Sequence, residues 1–339
     1  RQKMNIGVYI PNWVGDAVMA LPFITHCRAT HQMDHIVAIA REWVVPVLKN
    51  STILNDMLII DKDEDKGVVG ATQIGRQLKS KELDCLYLLS GSWRSAYIGW
   101  FSGAKERIGY TGQGRSPLLT EVITPPSEKM HRSKQYLKLL KEYDTTAKLT
   151  TPIAVADDEV SSAKVILESL NMASPLAIFC SSVAPSRRPP TTLWKGIIEF
   201  ALNGGVDVLL IGGNRDIPIA MELMEYFPAG NLQSVCGRTS LRESIALISQ
   251  CAGAIASDSG LGHISANLGV PTVSLFGAGD PEVTAPFGNR TKIIFQNVHC
   301  SPCKKNQCHN SDEPLLCHTT MDPGQVWEAY LVISGSEKS

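Results

Sequence analysis

The chain has 339 residues, 44% of them hydrophobic, and a formal net charge of −1. That length asks for two cores rather than one, and the near-zero charge removes any global electrostatic reason to bind nucleic acid. No window approaches eighteen consecutive apolar residues, so no transmembrane helix is readable, and no secretory signal is readable at the start.

In chain order, short runs rich in Val, Ile and Leu alternate with helical patterns. Strands are predicted at 5–10, 35–40, 56–60 and 85–89, with helices at 17–29 and 70–79 between them. A polar stretch at 144–159 interrupts the series, which restarts with strands at 176–180, 206–211, 254–257 and 272–276. Continuous apolar strands point to parallel sheets covered on both faces, and their alternation with helices points to βαβ units. The predicted fold is α/β, with two Rossmann-like domains, 1–153 and 154–339, facing a central cleft.

Three loops of the second half sit at predicted strand ends. "DSGLGH" runs from Asp258 through Ser259 and Gly260 into a helix predicted from Leu261, with His263 in its first turn. Unpaired amides and the helix dipole make such a place an anion site, and open α/β sheets put ligands there. An ordinary Asp/Ser cap with an exposed His is the competing reading. The loop after 176–180 carries Ser182, Arg187 and Arg188, hydroxyls and guanidiniums able to hold a diphosphate. The third loop, "GGNRD", ends in Asp216, placed to hold a ribose hydroxyl. Together they predict a nucleotide-diphosphate site in the second domain. Neither G-x-G-x-x-G after the first strand nor a Walker A sequence occurs, which argues against a dehydrogenase and a P-loop NTPase.

At the start, "NWVGDAVMALP" sets Asp16 between two apolar runs, where it reads as a cap for a helix beginning at Ala17. Of nine cysteines, Cys27, Cys85, Cys180, Cys236 and Cys251 lie in apolar surroundings and read as buried, reduced thiols. Cys300, Cys303, Cys308 and Cys317 form C-x2-C-x4-C-x8-C. That spacing leaves open a structural zinc site, disulfides or unlinked thiols.

The motifs "WVGD" at 13–16 and "DSGLGH" at 258–263, with "GAGDP" at 277–281, resemble glycosyltransferase family nine, the ADP-heptose:lipopolysaccharide heptosyltransferases. The stretches "NWVGDAVMALP" and "SGSWRSAYIGWFSGAKERIGY" are similar to the branch that adds the second heptose. The resemblance covers nearly the whole chain. It implies the GT-B fold and inverting transfer of L-glycero-D-manno-heptose from ADP-heptose to the heptose/Kdo inner core of lipid A, with no cofactor required. It also implies an acceptor-binding first domain and a nucleotide-sugar-binding second domain, with room for the last helix to return to the first. Asp16 matches the family's general base. Ser182, Arg187, Asp216, Asp258, Ser259, Gly260 and His263 match its donor-binding positions, with Arg187 in place of a lysine and Pro189 where a tryptophan is usual. An anionic core acceptor makes Lys105, Arg107, Arg115 and Arg132 candidate partners for it, and Trp13 a stacking surface. The implied location is cytoplasmic and peripheral, at the inner face of the inner membrane. A family member with another nucleotide-sugar or acceptor, and a nucleotide-binding homologue without catalysis, are the alternative readings.

Overall fold

A computed structural model of the chain describes residues 3–62, 66–140, 153–227 and 230–335. The chain divides into two compact units, Arg1–Thr151 and Pro152–Ser339. The polar stretch expected to separate them lies outside the described residues as far as 152. Beyond that, helix Asp157–Ser169 takes up its end, with Glu159 accepting from the Ala156 amide at 2.9 Å.

Each unit is built on one six-stranded, wholly parallel sheet. In the first, β1 (Asn5–Tyr9), β2 (His35–Arg41), β3 (Asp56–Ile60), β4 (Cys85–Leu88), β5 (Glu106–Tyr110) and β6 (Glu121–Ile123) take the order β3-β2-β1-β4-β5-β6. In the second, β7 (Leu176–Phe179), β8 (Val208–Leu210), β9 (Leu232–Ser234), β10 (Gly253–Ser257), β11 (Thr272–Phe276) and β12 (Thr291–Phe295) take the order β12-β11-β10-β7-β8-β9. Both orders are the doubly wound 3-2-1-4-5-6 pattern, in which winding reverses once and opens a crevice at the carboxyl ends of the two strands where it does so. Those strands are β1 and β4 in one unit and β7 and β10 in the other.

The central strands are apolar throughout because helices cover both faces. In β7, β8 and β10 every residue is buried. The strands absent from the sequence reading are β5, β6, β9 and β12. All lie toward sheet margins, and Glu106, Glu121 and Lys292 interrupt their apolar runs. A half-covered strand has no need of a continuous apolar run.

The core of the second unit gathers Trp194, Ile197 and Ile198 from helix Thr191–Asn203, the inner residues of β7, β8, β10 and β11, and Val326, Trp327 and Tyr330 from helix Pro323–Ser334. The last helix therefore packs inside the second unit. Its approach is close: a Cβ on Gly196 would stand 2.6 Å from Pro323 Cγ, and one on Gly253 would stand 2.3 Å from Tyr330 Cε2. Neither ring is the free end of a flexible chain, so added bulk displaces the helix. Gly253→Ala is expected to cost about 1–3 kcal/mol by overpacking. Denaturant unfolding checks this, and a cost below roughly 0.5 kcal/mol would show that the helix yields freely.

Candidate active site

In the first unit the loop after β1, Ile10–Trp13, leads into helix Val14–Thr30. The helix starts three residues earlier than expected, and the position ahead of it is Trp13, with no side-chain cap. Asp16 is thus not a cap but a first-turn residue, where the helix dipole favours its anionic form. Its Oδ1 accepts from the Tyr136 hydroxyl at 3.4 Å and lies 3.8 Å from Arg132 Nε. Arg132 and Tyr136 are one turn apart on helix Arg132–Leu137, so both reach the same carboxylate. Tyr136 is buried, and burial first, then the Asp16 charge, pushes its hydroxyl pKa well above the usual tyrosine value. It stays a neutral donor. Sequence reasoning missed it, because a tyrosine 120 positions from Asp16 gives no local signal.

Of the expected acceptor cations, only Arg132 lies beside Asp16. Arg115 is 1% exposed, with its guanidinium donating to the Tyr110 and Ser90 carbonyls at 2.7 and 2.5 Å. It ties strand-end loops together and has no surface to offer a ligand. Lys105 precedes β5 and pairs with Asp84 just ahead of β4 at 2.7 Å, at the amino ends of the strands. Arg107 donates to the Leu118 and Ala104 carbonyls at 2.8 and 2.5 Å, near the same end. Doubly wound sheets bind ligands at the opposite edge, so Lys105 and Arg107 lie away from it, whereas Arg115 lies at that edge with its guanidinium spent on backbone carbonyls. Trp13 is 59% exposed on the β1 loop, at the ligand edge.

In the second unit the expected donor residues converge at the carboxyl ends of β7, β8 and β10. Helix Gly260–Asn267 begins directly after Ser259. Asp258 is buried, and its Oδ2 lies 3.3 Å from Arg187 Nη1. This pair joins the loop after β7 to the loop after β10. The Ser257 hydroxyl donates to the Ser181 carbonyl at 2.8 Å and closes the same gap lower down. Gly279 passes so near Asp258 that a Cβ there would stand 2.1 Å from its Oδ2, which brings the loop after β11 into the group. Asp216 Oδ2 accepts from the Gly213 amide at 2.9 Å. Desolvation raises the Asp216 pKa, against the opposing bonds from Gly213 and Ser181. Arg188 braces the β7 loop from within, donating to the carbonyls of Ser182 and Val183 at 2.6 and 2.9 Å. His263 is buried, 5% exposed, and not the exposed side chain of a plain cap.

The late cysteines lie on a segment that packs against these loops. The Ser186 amide donates to the Asn306 carbonyl at 3.2 Å, the Lys304 amide to the Ala278 carbonyl at 2.8 Å, and the Ser301 hydroxyl to the Gly277 carbonyl at 2.5 Å. His318 is wholly buried beside the Ser186 backbone, and burial pushes its pKa down to about 4. Cys300, Cys303, Cys308 and Cys317 are free thiols. Among the described residues no group of three or more His, Cys, Asp or Glu side chains is placed to hold a metal ion. No helix among them is long and apolar enough to cross a membrane.

Two doubly wound α/β units, each with a crevice where the winding reverses, are the architecture of GT-B glycosyltransferases. Residues 71–313 match the profile of glycosyltransferase family 9 (heptosyltransferase), and the chain belongs to that family. It is 26% identical over 307 residues to lipopolysaccharide heptosyltransferase 2 of Escherichia coli K12, across 86% of this chain and 88% of that one. Among solved structures it is similar to the family 9 glycosyl transferase of Veillonella parvula, with a TM-score of 0.89, 19% identity and 99% of each chain covered. It is also similar to E. coli ADP-heptose heptosyltransferase II, with a TM-score of 0.82, 23% identity, and 99% of this chain and 100% of that one covered.

Burial divides the thiols into two reactivity classes. It pushes Cys27, Cys85 and Cys251 up to about 12 and Cys236 to about 11, and it raises Cys180 well above the usual value. The thiolate is the reactive form. Alkylation of the native protein, read by peptide mass spectrometry, is expected to label Cys300, Cys303 and Cys308 first. The six buried thiols, these five and Cys317, which burial pushes up to about 11, should label only on unfolding. A buried thiol labelled as fast as Cys308 would contradict the packing described.

Proposed function

We propose that the protein transfers L-glycero-D-manno-heptose from ADP-heptose to the heptose-bearing inner core of lipid A, inverting at the anomeric carbon, with Asp16 as general base. The observation that carries the reading is the Arg187–Asp258 pair at the amino end of helix Gly260–Asn267. There a guanidinium and unpaired amides offer a built site for a diphosphate. The ADP-heptose donor and the lipopolysaccharide acceptor come from the relatives' names, and the lipid A core from the family resemblance of the motifs.

The chemistry asks little of the chain beyond charge and position. Asp16 takes the acceptor hydroxyl's proton as that oxygen attacks the anomeric carbon opposite the leaving group. Tyr136 and Arg132 hold the carboxylate in one orientation. The ADP leaving group gains negative charge, which Arg187, His263 and the amides at Ser259 and Gly260 stabilise. Ser182 lines the diphosphate, and Asp216 takes a ribose hydroxyl. No resident metal or cofactor is assigned a step.

The acceptor's acyl chains imply work at a membrane surface, on the cytoplasmic side where nucleotide sugars are made. Peripheral contact is supported by helix Trp93–Ser102, where Trp93 and Trp100 are 42% and 50% exposed and Trp93 stacks on Tyr97 at 5.1 Å. This helix and its neighbour Gly67–Lys79 carry Arg76, Lys79 and Arg94 and no carboxylate. Aromatic rings and cations of this kind suit an anionic lipid interface.

Transfer assays with ADP-heptose and core acceptors bearing zero or one heptose test the reading. Product is expected only from the one-heptose acceptor, and no turnover with either would sink the proposal. Asp16→Asn is expected to lower kcat by about 10²–10⁴ with ADP affinity nearly intact. An unchanged kcat would remove Asp16 from the mechanism.

A further inference from the structure

We infer that Lys304, carried on the four-cysteine segment, is a further diphosphate-binding residue of the donor site. The inference rests on the nucleotide-diphosphate reading of the second unit and names a cation that its sequence motifs do not contain.

Asp280 is the first observation. It ends the loop after β11, caps helix Pro281–Thr284 through the Glu282 amide at 3.2 Å, and is 6% exposed. Its Oδ2 lies 3.0 Å from Lys304 Nζ. One residue earlier Gly279 abuts Asp258, the partner of Arg187. Two buried carboxylates on neighbouring loops thus each hold one cation.

The two pairs share an asymmetry. In Arg187–Asp258 the side chains are 31% and 4% exposed, and in Lys304–Asp280 they are 59% and 5% exposed. In each, the anion is the buried end and the cation faces outward. An exposed pair of two mobile side chains holds nothing in place and contributes little. A cation fixed by a buried carboxylate is preorganised for a second anion, and its remaining N–H groups are free to point at that anion.

The backbone at Lys304 is the second observation. Its φ is +58°, in the left-handed region that a lysine adopts only at a cost. The turn is fixed from both sides, by the Lys304 amide on the Ala278 carbonyl and by the bonds from Ser186 to the carbonyls of Lys305 and Asn306. The segment 301–306 therefore touches the loop bearing Arg187 and the loop bearing Asp280, and it sets Lys304 beside both. A brace alone needs only the backbone contacts; the outward ammonium on a buried acid is what points to a ligand.

Calorimetric binding of ADP, with adenosine measured by competition, tests this on the full chain. Lys304→Met is expected to weaken ADP about tenfold and leave adenosine unchanged, because the lost contact is to phosphate. Lys304→Arg should restore most of the ADP affinity. If Lys304→Met binds ADP like the wild type, the residue is only half of a surface ion pair and the inference is wrong. Equal losses for ADP and adenosine would make the segment a brace and also overturn it. A wild type that binds neither ligand would instead overturn the nucleotide reading, a result that needs no variant.

Discussion

The constraint on which the rest of this molecule depends is the single reversal of winding in each parallel sheet. Parallel strands joined by helices all point their carboxyl ends at one edge, and where winding reverses, two neighbouring loops turn away from each other and leave a crevice. In the first unit the reversal falls between β1 and β4, and Asp16 follows β1. In the second it falls between β7 and β10, where Arg187 follows the one and Asp258 the other. The candidate side chains are thus placed by strand order before any local interaction acts on them.

Local interactions then decide what those loops can hold. A buried carboxylate loses solvation, and removing its partner leaves an uncompensated charge in the interior. Asp258 and Asp280 each avoid that through a cation on a different segment, so the ion pairs fix loop positions as well as charge. Glycine matters at one point in this arrangement: any side chain at 279 would collide with the Asp258 carboxylate and separate the two loops.

The central strands were legible because burial on both faces leaves an unbroken apolar run, as in β7 or β10. The margins were not, since β6 or β12 mixes charged and apolar residues much as a loop does. The strand–helix junction was legible for a local reason: Asp258, Ser259, Gly260 and His263 are contiguous between an apolar strand and the helix that follows it. The residues around Asp16 come from afar, and neither Tyr136 nor its shared helix face with Arg132 leaves a mark near position 16. Basic residues were the weakest guide. Lys105, Arg107 and Arg115 look alike in sequence, and only tertiary structure shows that the first two sit near the amino end of the sheet and the third inside it.

The setting of Asp16 bears on how a base would work there. Asp16 is a first-turn carboxylate held by the Tyr136 hydroxyl, with Arg132 beside it. Strong basicity would be needed if proton removal preceded bond formation. It is not needed if the acceptor oxygen sheds its proton only as it bonds to an electron-poor anomeric carbon, when the hydroxyl has become acidic. On the proposed reading, the effort of the site then lies in drawing the leaving group away, where the second unit supplies its cations and helix amides. In the proposed mechanism Asp16 completes the step by being oriented and in place, rather than by being strongly basic.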